Sequence, residues 1–208
     1  MQQTLIAFTF AATLLTLTPG LDTALVLRTA AAEGRRAAAF AACGILLGLG
    51  VWGALVALGV AALLSASALA FALLKWAGGA YLVWVGARLL LKPRAGWTGD
   101  VAATTASAGA GDRGPLVRGA MTNLLNPKVG VFYVSFLPQF TPPDVNAAGW
   151  TLLLVAIHAT MGLIWFAVLI AAAAPLGGWL KQAAVVRWMD RAVGALFLAF
   201  GVKLALAR

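Results

Sequence analysis

Six long apolar runs constrain the fold of this chain more than any other feature of its sequence. They lie at roughly 4–27, 37–64, 69–91, 119–140, 150–174 and 189–207. A helix needs about 20 apolar residues to cross a hydrocarbon core, and none of the runs alternates like a barrel strand. Because lipid cannot satisfy backbone polar groups, each run must be a helix. The sequence therefore predicts an all-α integral membrane protein, a six-helix bundle in a lipid bilayer.

The composition supports a membrane protein and excludes several other classes. Apolar residues make up 62% of the chain and charged residues only 10%, whereas soluble domains have about 25% charged residues. The net charge of +9 comes from basic residues scattered singly between apolar runs, which argues against a nucleic-acid partner. One cysteine, Cys43, and one histidine exclude a disulfide and the usual metal sites. We predict no metal, no cofactor and no catalytic residue, and hence no enzyme.

The distribution of basic residues predicts the orientation. The loops after the first, third and fifth runs hold eleven of the fifteen Lys and Arg residues. By the positive-inside rule these loops face the cytoplasm, which places the N- and C-termini outside.

The chain divides into two halves with a common pattern. Residues 92–118 are rich in Gly, Ala, Ser and Thr and are predicted to be a cytoplasmic linker. The first runs of the halves 1–91 and 119–208 match at an offset of 108 residues, which aligns Thr18-Pro19 with Asn126-Pro127. Their third runs match at an offset of 115 residues, which aligns Gly79 with Gly194. Because each half has three runs, the two repeats must be inverted across the membrane, as in many secondary transporters.

Small residues in the apolar runs predict close helix packing. They lie in the second run (Gly44, Gly48, Gly50) and in the third (Gly78, Gly79, Gly86). Such faces also allow a homodimer, which the sequence does not decide.

Prolines predict a break in the first helix and in the fourth. Proline has no N–H and clashes with the preceding turn, so it frees carbonyl groups that other groups must then use. Thr18 and Asn126 are good N-cap residues and Pro19 and Pro127 suit the first position of a new helix, so a second helix is expected to begin at each break. Each break lies nine residues, about 13 Å along a helix, from a flanking arginine. Two helix N-termini would then meet near the middle of the bilayer and attract an anion such as a carboxylate.

Charged and amide side chains beside the breaks indicate a binding site. Asp22 lies deep in an apolar run, where a carboxylate needs a cavity or a partner, and could receive an ammonium group or a proton. Lys128 follows Pro127 and needs a counter-charge nearby. An Asp22–Lys128 ion pair that only locks the two halves together is the structural alternative. The predicted substrate-binding residues are Thr18, Pro19, Gly20, Asp22, Asn123, Asn126, Pro127 and Lys128.

His158, in the fifth run, is a second candidate for proton coupling beside Asp22. A hydrogen-bonded packing role is the alternative for this residue.

Motifs in three of the runs resemble those of the lysine exporter (LysE/RhtB) family. They are Thr18-Pro19-Gly20, the segment 75–82 (KWAGGAYL), Asn126-Pro127-Lys128 with Phe132, and Pro138-Gln139-Phe140. The resemblance covers nearly the whole chain, although Leu21 stands where the family's first motif usually has a second proline. It implies export of amino acids or related small zwitterions from the bacterial cytoplasm across the inner membrane, driven by protons.

Two other functions compete with the exporter. A small-solute channel would give flux that does not depend on a proton gradient, and a non-transporting structural membrane protein would tolerate Asp22→Asn. The sequence does not name the substrate.

Overall fold

Helices form all the regular structure of the residues described by the computed structural model, which are 1–66, 76, 79–80, 83–84, 86–93, 113–142, 145–173, 179 and 182–206. No β-strand occurs in these ranges, so the prediction of an all-α chain is confirmed. Most of the third run, 69–91, lies outside the described residues, and of its last part residues 86–91 are helical.

The first apolar run is a broken helix, as the prolines predict. Helix α1, Gln2–Leu17, and helix α2, Leu21–Ala32, are bent by 47° at the three residues between them. Gly34 then has a φ of +90°, a left-handed conformation that glycine adopts without penalty at the end of a helix. The chain turns there into α3, Arg35–Ala66, which contains the second run.

The fourth run is broken too, and its helical geometry changes along its length. Helix α4, Arg113–Leu124, begins inside the segment 92–118 that we expect as a linker. Helix α5, Pro127–Val131, follows the break and continues into a π-helical segment, Phe132–Phe136, and a 3-10 turn, Leu137–Phe140. π-Helical segments are rare and often mark functional sites.

Two further helices complete the described chain. Helix α6, Ala147–Ala171, has Asn146 as its N-cap, whose Oδ1 accepts from the Gly149 backbone N–H at 2.7 Å. Helix α7, Ala183–Leu206, begins six residues before the sixth run was expected to start. Its 24 residues exceed the 19 residues of the expected run 189–207.

By length and composition, two described helical stretches can cross a membrane by themselves. They are Arg35–Gly59 of α3 and Ala147–Ala171, and the bent pair α1–α2 makes a third span if it is counted as one. Apolar side chains at the surface of these helices, such as Leu55, Leu58 and Ile164, are more than half exposed. In a bilayer such side chains face lipid, which supports a membrane protein.

Glycines bring α3 into close contact with α4. A methyl group on Gly44 would overlap the carbonyl oxygen of Leu116, and one on Gly119 would overlap that of Ala41. The expectation of close packing is confirmed at Gly44 but is wrong at Gly50, where no atom of the described residues would lie within 4 Å of an added methyl group. The α3–α4 contact joins the first half of the chain to the start of the broken fourth helix.

Helix α3 also crosses α6 at two glycines. A methyl group on Gly53 would lie 2.6 Å from the Val155 side chain, and one on Gly162 would lie 3.3 Å from that of Leu46.

A second crossing joins the third run to α7. Methyl groups on Gly86 and Gly201 would lie 2.7 and 2.9 Å from the carbonyl oxygens of Gly194 and Gly79. The expectation of close packing is thus confirmed for Gly79 and Gly86, whereas Gly78 lies outside the described residues.

Candidate functional site

The first break differs in detail from the prediction. Thr18 does not begin the second helix but ends the first, since its backbone N–H and its hydroxyl both donate to the Leu14 carbonyl, at 3.1 and 2.6 Å. Gly20 is the N-cap of α2, and Leu21 is its first residue. The predicted N-cap at Thr18 is therefore wrong, because the threonine hydroxyl bonds back into its own helix instead.

The second break follows the prediction. Asn126 has an extended backbone, and its side-chain Oδ1 accepts from the Lys128 N–H at 3.1 Å. Pro127 is the first residue of the new helix, where its missing N–H leaves no donor to satisfy. The predicted N-cap at Asn126 is confirmed.

Lys128 uses the carbonyl groups that the first break frees. Its Nζ donates to the carbonyl oxygens of Leu15 at 2.8 Å and of Thr18 at 3.1 Å. In an uninterrupted helix the N–H of residue 19 would bond to Leu15, but Pro19 has no N–H. A cation at the C-terminal end of a helix is also favoured by the helix dipole. A side chain from the second break therefore caps the helix that the first break ends.

Asp22 is held by amides from the second break. Asn123 Nδ2 donates to Asp22 Oδ2 at 2.8 Å, and Asn126 Nδ2 donates to Asp22 Oδ1 at 3.3 Å. Asn123 is fully buried and Asp22 half-buried. Asp22 is also the second residue of α2, where the helix dipole stabilises a negative charge. Each break thus supplies a charged side chain that contacts groups of the other break.

A small cavity of about 50 Å³ joins these groups. Six of the predicted residues line it: Thr18, Gly20, Asp22, Asn126, Lys128 and His158. Pro19 and Asn123 do not belong to the lining, although Asn123 donates a hydrogen bond to Asp22. The rest of the wall is mostly apolar and comes from α1, α3, α5 and α6, with Leu15, Ile45, Leu49, Val129 and Phe166.

The cavity thus presents a carboxylate and an ammonium group within largely apolar walls, a combination suited to a solute that itself carries both charges. Among the residues that the structure describes, no group of three or more His, Cys, Asp or Glu side chains could hold a metal ion.

Several residues of the site were not predicted from the sequence. Thr16, Thr23 and Gly162 line the cavity. Gly48 lets α3 approach Asn123, because a methyl group there would lie 2.7 Å from Asn123 Oδ1. The motif around Asn126 drew attention to the fourth run, but side chains on neighbouring helices carry no comparable signal.

His158 is buried and contacts a tyrosine from the π-helical segment. Its Nδ1 lies 3.1 Å from the hydroxyl oxygen of Tyr133, which is fully buried. The sequence indicated His158 but not Tyr133, since a π-helical segment has no sequence signature that would align the two side chains.

An ion pair joins the C-cap of α2 to the middle of α4. Arg118 Nη2 lies 2.6 Å from both carboxylate oxygens of Glu33. Both residues belong to the side that the basic loops predict to be cytoplasmic, so the pair connects the two broken helices at that side.

Comparison with known proteins agrees with these features. The family model for the LysE type translocator matches residues 13–208. The homoserine/homoserine lactone efflux protein of Salmonella typhi is 34% identical over 203 residues, which cover 97% of this chain and 96% of the relative.

Two other relatives are efflux proteins for different amino acids. The leucine efflux protein of Enterobacter sp. (strain 638) is 31% identical, covering 91% of this chain and 89% of its own length. The threonine efflux protein of Salmonella typhi is 30% identical, covering 92% of each chain. No solved structure matches the chain. The chain belongs to the family of LysE type translocators, and it is a transport protein rather than an enzyme.

Proposed function

We propose that this protein exports an amino acid or a related small zwitterion from the bacterial cytoplasm, in exchange for protons. Its relatives are efflux proteins for homoserine, leucine and threonine, which supports amino-acid export as the general function. The observation that carries the proposal is the placement of Asp22 and Lys128 on one cavity between the two helix breaks.

In the proposed site, Asp22 binds the ammonium group of the solute and Lys128 its carboxylate. The remaining predicted residues, Thr18, Pro19, Gly20, Asn123, Asn126 and Pro127, shape the breaks and hold the two charges. The N-terminus of α2 already carries the Asp22 carboxylate, so we assign the solute carboxylate to Lys128 rather than to that helix end. Buried charge-assisted hydrogen bonds of this kind are roughly twice as strong as neutral ones.

The size of the cavity indicates that the protein must open to admit its solute. A buried water needs at least ~10–15 Å³ of such space, so a cavity of about 50 Å³ holds only a few waters. An amino acid enters only if one half of the protein moves relative to the other.

We propose that this movement is a rocking of two inverted repeats, 1–91 and 119–208, joined by the predicted linker 92–118, whose last six residues belong to α4. The α3–α6 crossing supports the repeat. Gly162 follows Gly53 by 109 residues, and Val155 follows Leu46 by the same 109. The observed contacts, Gly53 with Val155 and Leu46 with Gly162, are the exchanged pairs that a two-fold relation between the halves requires.

The crossing of the third run with α7 supports the same relation. At the offset of 115, Gly79 matches Gly194 and Gly86 matches Gly201. The contacts again exchange the partners, since Gly86 meets Gly194 and Gly79 meets Gly201. Both helix pairs therefore support the proposed two-fold relation between the halves.

Proton coupling is proposed at Asp22. A carboxylate that binds the solute ammonium in one state and a proton in the other exchanges the two across the membrane. The basic loops support an orientation with both termini outside the inner membrane.

Reconstituted vesicles test this function. They are loaded with a panel of labelled amino acids that includes homoserine, threonine and leucine, and a pH gradient is imposed. We expect one or a few members to leave only when the gradient is present. Retention of the whole panel would contradict export, and release that ignores the gradient would indicate a channel.

A further inference from the structure

The contact between His158 and Tyr133 determines which atom of the histidine ring reaches the cavity. His158 lines the cavity, whereas Tyr133 does not. A neutral imidazole has two polar atoms, one a donor and the other an acceptor. Because Nδ1 already contacts the Tyr133 hydroxyl at 3.1 Å, Nε2 is the atom left for a solute.

Aromatic packing holds the ring in this orientation. The ring centroids of Phe132 and Tyr133 lie 5.5 and 5.7 Å from that of His158. Both aromatic side chains are fully buried and are neighbours in the π-helical segment. Rotation of the imidazole would break the contact with Tyr133 and displace these rings.

The burial of Tyr133 fixes the direction of the hydrogen bond. In the described part of the chain, His158 Nδ1 is the one hydrogen-bond partner of the Tyr133 hydroxyl. If the hydroxyl donates to Nδ1, both its proton and the Nδ1 lone pair are satisfied. If it accepts from an Nδ1–H, its own proton is left buried without an acceptor, which costs more free energy than a spare lone pair on oxygen.

We infer that Tyr133 is a positioning residue that donates to Nδ1 of His158 and holds the ring as its Nε2–H tautomer. His158 is then a neutral hydrogen-bond donor to the carboxylate of the transported amino acid, beside Lys128. Only the identity of this acceptor rests on the proposed function; the tautomer does not. With its Nε2 lone pair replaced by an N–H, His158 cannot take a proton from the cavity, so coupling is left to Asp22.

Nitrogen NMR tests the tautomer without any knowledge of the substrate. The protein has one histidine, so ¹⁵N-histidine labelling of the whole chain in lipid nanodiscs reports on this ring alone. We expect an unprotonated Nδ1 and a protonated Nε2 at neutral pH. The Tyr133→Phe variant should show a mixture of tautomers. A protonated Nδ1 in the wild type, or a Tyr133→Phe spectrum identical to that of the wild type, would overturn the inference.

Transport by matched variants tests the role of Nε2. The amide nitrogen of glutamine reaches about as far as Nε2 and that of asparagine about as far as Nδ1, so His158→Gln retains a donor to the cavity and His158→Asn does not. We expect His158→Gln to retain gradient-driven export, with a KM within a few-fold of the wild type. His158→Asn should raise KM roughly tenfold or more, the loss of a hydrogen bond to a charged group.

The remaining outcomes separate the inference from the proposed function. Loss of gradient-driven export in both histidine variants, with exchange in the absence of a gradient preserved, would make His158 a proton carrier and overturn the inference. If the wild type exports no member of the panel, the proposed function fails, while the NMR result still decides the tautomer.

Discussion

The ammonium nitrogen of Lys128 lies 2.8 Å from the carbonyl oxygen of Leu15, the acceptor that Pro19 deprives of its helical donor. A residue next to the second break thus satisfies a backbone group exposed by the first, 113 residues earlier in the chain. Because the same cavity contains Asp22, a change at either break is expected to affect the other.

Replacing Lys128 is expected to lower both export and stability. Lys128→Met removes the proposed carboxylate partner, and the loss of a hydrogen bond to a charged group corresponds to a roughly ten- to hundredfold reduction in kcat/KM. It also leaves the Leu15 carbonyl without its 2.8 Å donor. Initial export rates and thermal unfolding of reconstituted protein measure the two effects.

Lys128→Arg is the matched control, because it keeps the charge. The guanidinium can still donate to the carbonyl groups of the first break, so stability should be largely preserved. Because it is larger than the ammonium group, it should hinder the solute in a cavity of about 50 Å³ and reduce export. Wild-type export by Lys128→Met would exclude the proposed role.

Pro19→Ala is expected to restore the missing helical hydrogen bond. Alanine at position 19 supplies an N–H to the Leu15 carbonyl, so the 47° bend between α1 and α2 should decrease and Lys128 should lose one acceptor. We expect a protected amide at position 19 in hydrogen-exchange measurements, unchanged or higher stability, and slower export. An unprotected amide with normal export would show that the bend does not depend on the proline.

Asp22→Asn is expected to abolish export driven by a pH gradient. The substitution keeps the shape of the side chain but removes the charge that binds the solute ammonium and the proton. Glu33→Gln serves as a control at a carboxylate outside the cavity. Glu33 pairs with Arg118, and the two side chains are 41% and 18% exposed. Because ion pairs near the surface contribute about 0–1 kcal/mol, this control should alter stability only slightly and leave export intact. Gradient-driven export by Asp22→Asn at the wild-type rate would exclude coupling at this residue.

Gly44→Ala should destabilise the α3–α4 contact, whereas Gly50→Ala on the same helix should not. A methyl group at residue 44 overlaps the backbone of Leu116, and overpacking typically costs about 1–3 kcal/mol. A methyl group at residue 50 would have no atom of the described chain within 4 Å. Unfolding in a mild detergent compares the two variants, and equal stability would show that α3 and α4 do not pack this closely.

Gly20→Ala is expected to reduce substrate affinity without unfolding the protein. A methyl group there would lie 3.7 Å from Lys128 Nζ, an ordinary contact. The backbone at residue 20 is extended, with a φ of −152°, and any residue can adopt it. The methyl group narrows the cavity beside the proposed carboxylate partner, so KM should rise. Thermal stability should fall only slightly, because alanine is a poorer N-cap than glycine. An unchanged KM would exclude residue 20 from the solute path.

The breaks could be predicted from the sequence because their cause is local. Proline lacks an N–H wherever it stands, and Asn126 needs only the backbone two residues ahead to become an N-cap. Thr18 shows the limit of such reasoning. Its hydroxyl can bond either forward or backward, and here it bonds backward to Leu14, which moves the start of α2 to Leu21.

Contacts between distant segments could not be predicted in the same way. Asn123 and Asp22 are 101 residues apart, and Arg118 and Glu33 are 85 apart, so their pairing depends on how the helices pack. The contact of Tyr133 with His158 also depends on a π-helical segment. The helices and their breaks could be inferred from apolar runs and prolines, whereas the π-helical geometry and the partners of the polar side chains required the structure.

Binding of substrate analogues tests most directly whether the two breaks hold a zwitterion between Asp22 and Lys128. For the amino acid that the wild type exports, the affinities of the parent, its carboxamide and its deaminated analogue are measured for the wild type, Asp22→Asn and Lys128→Met. We predict that the wild type binds both analogues more weakly than the parent amino acid. Lys128→Met should bind the carboxamide as tightly as it binds the parent, and Asp22→Asn should bind the deaminated analogue as tightly as it binds the parent. Equal discrimination by all three proteins would contradict the account.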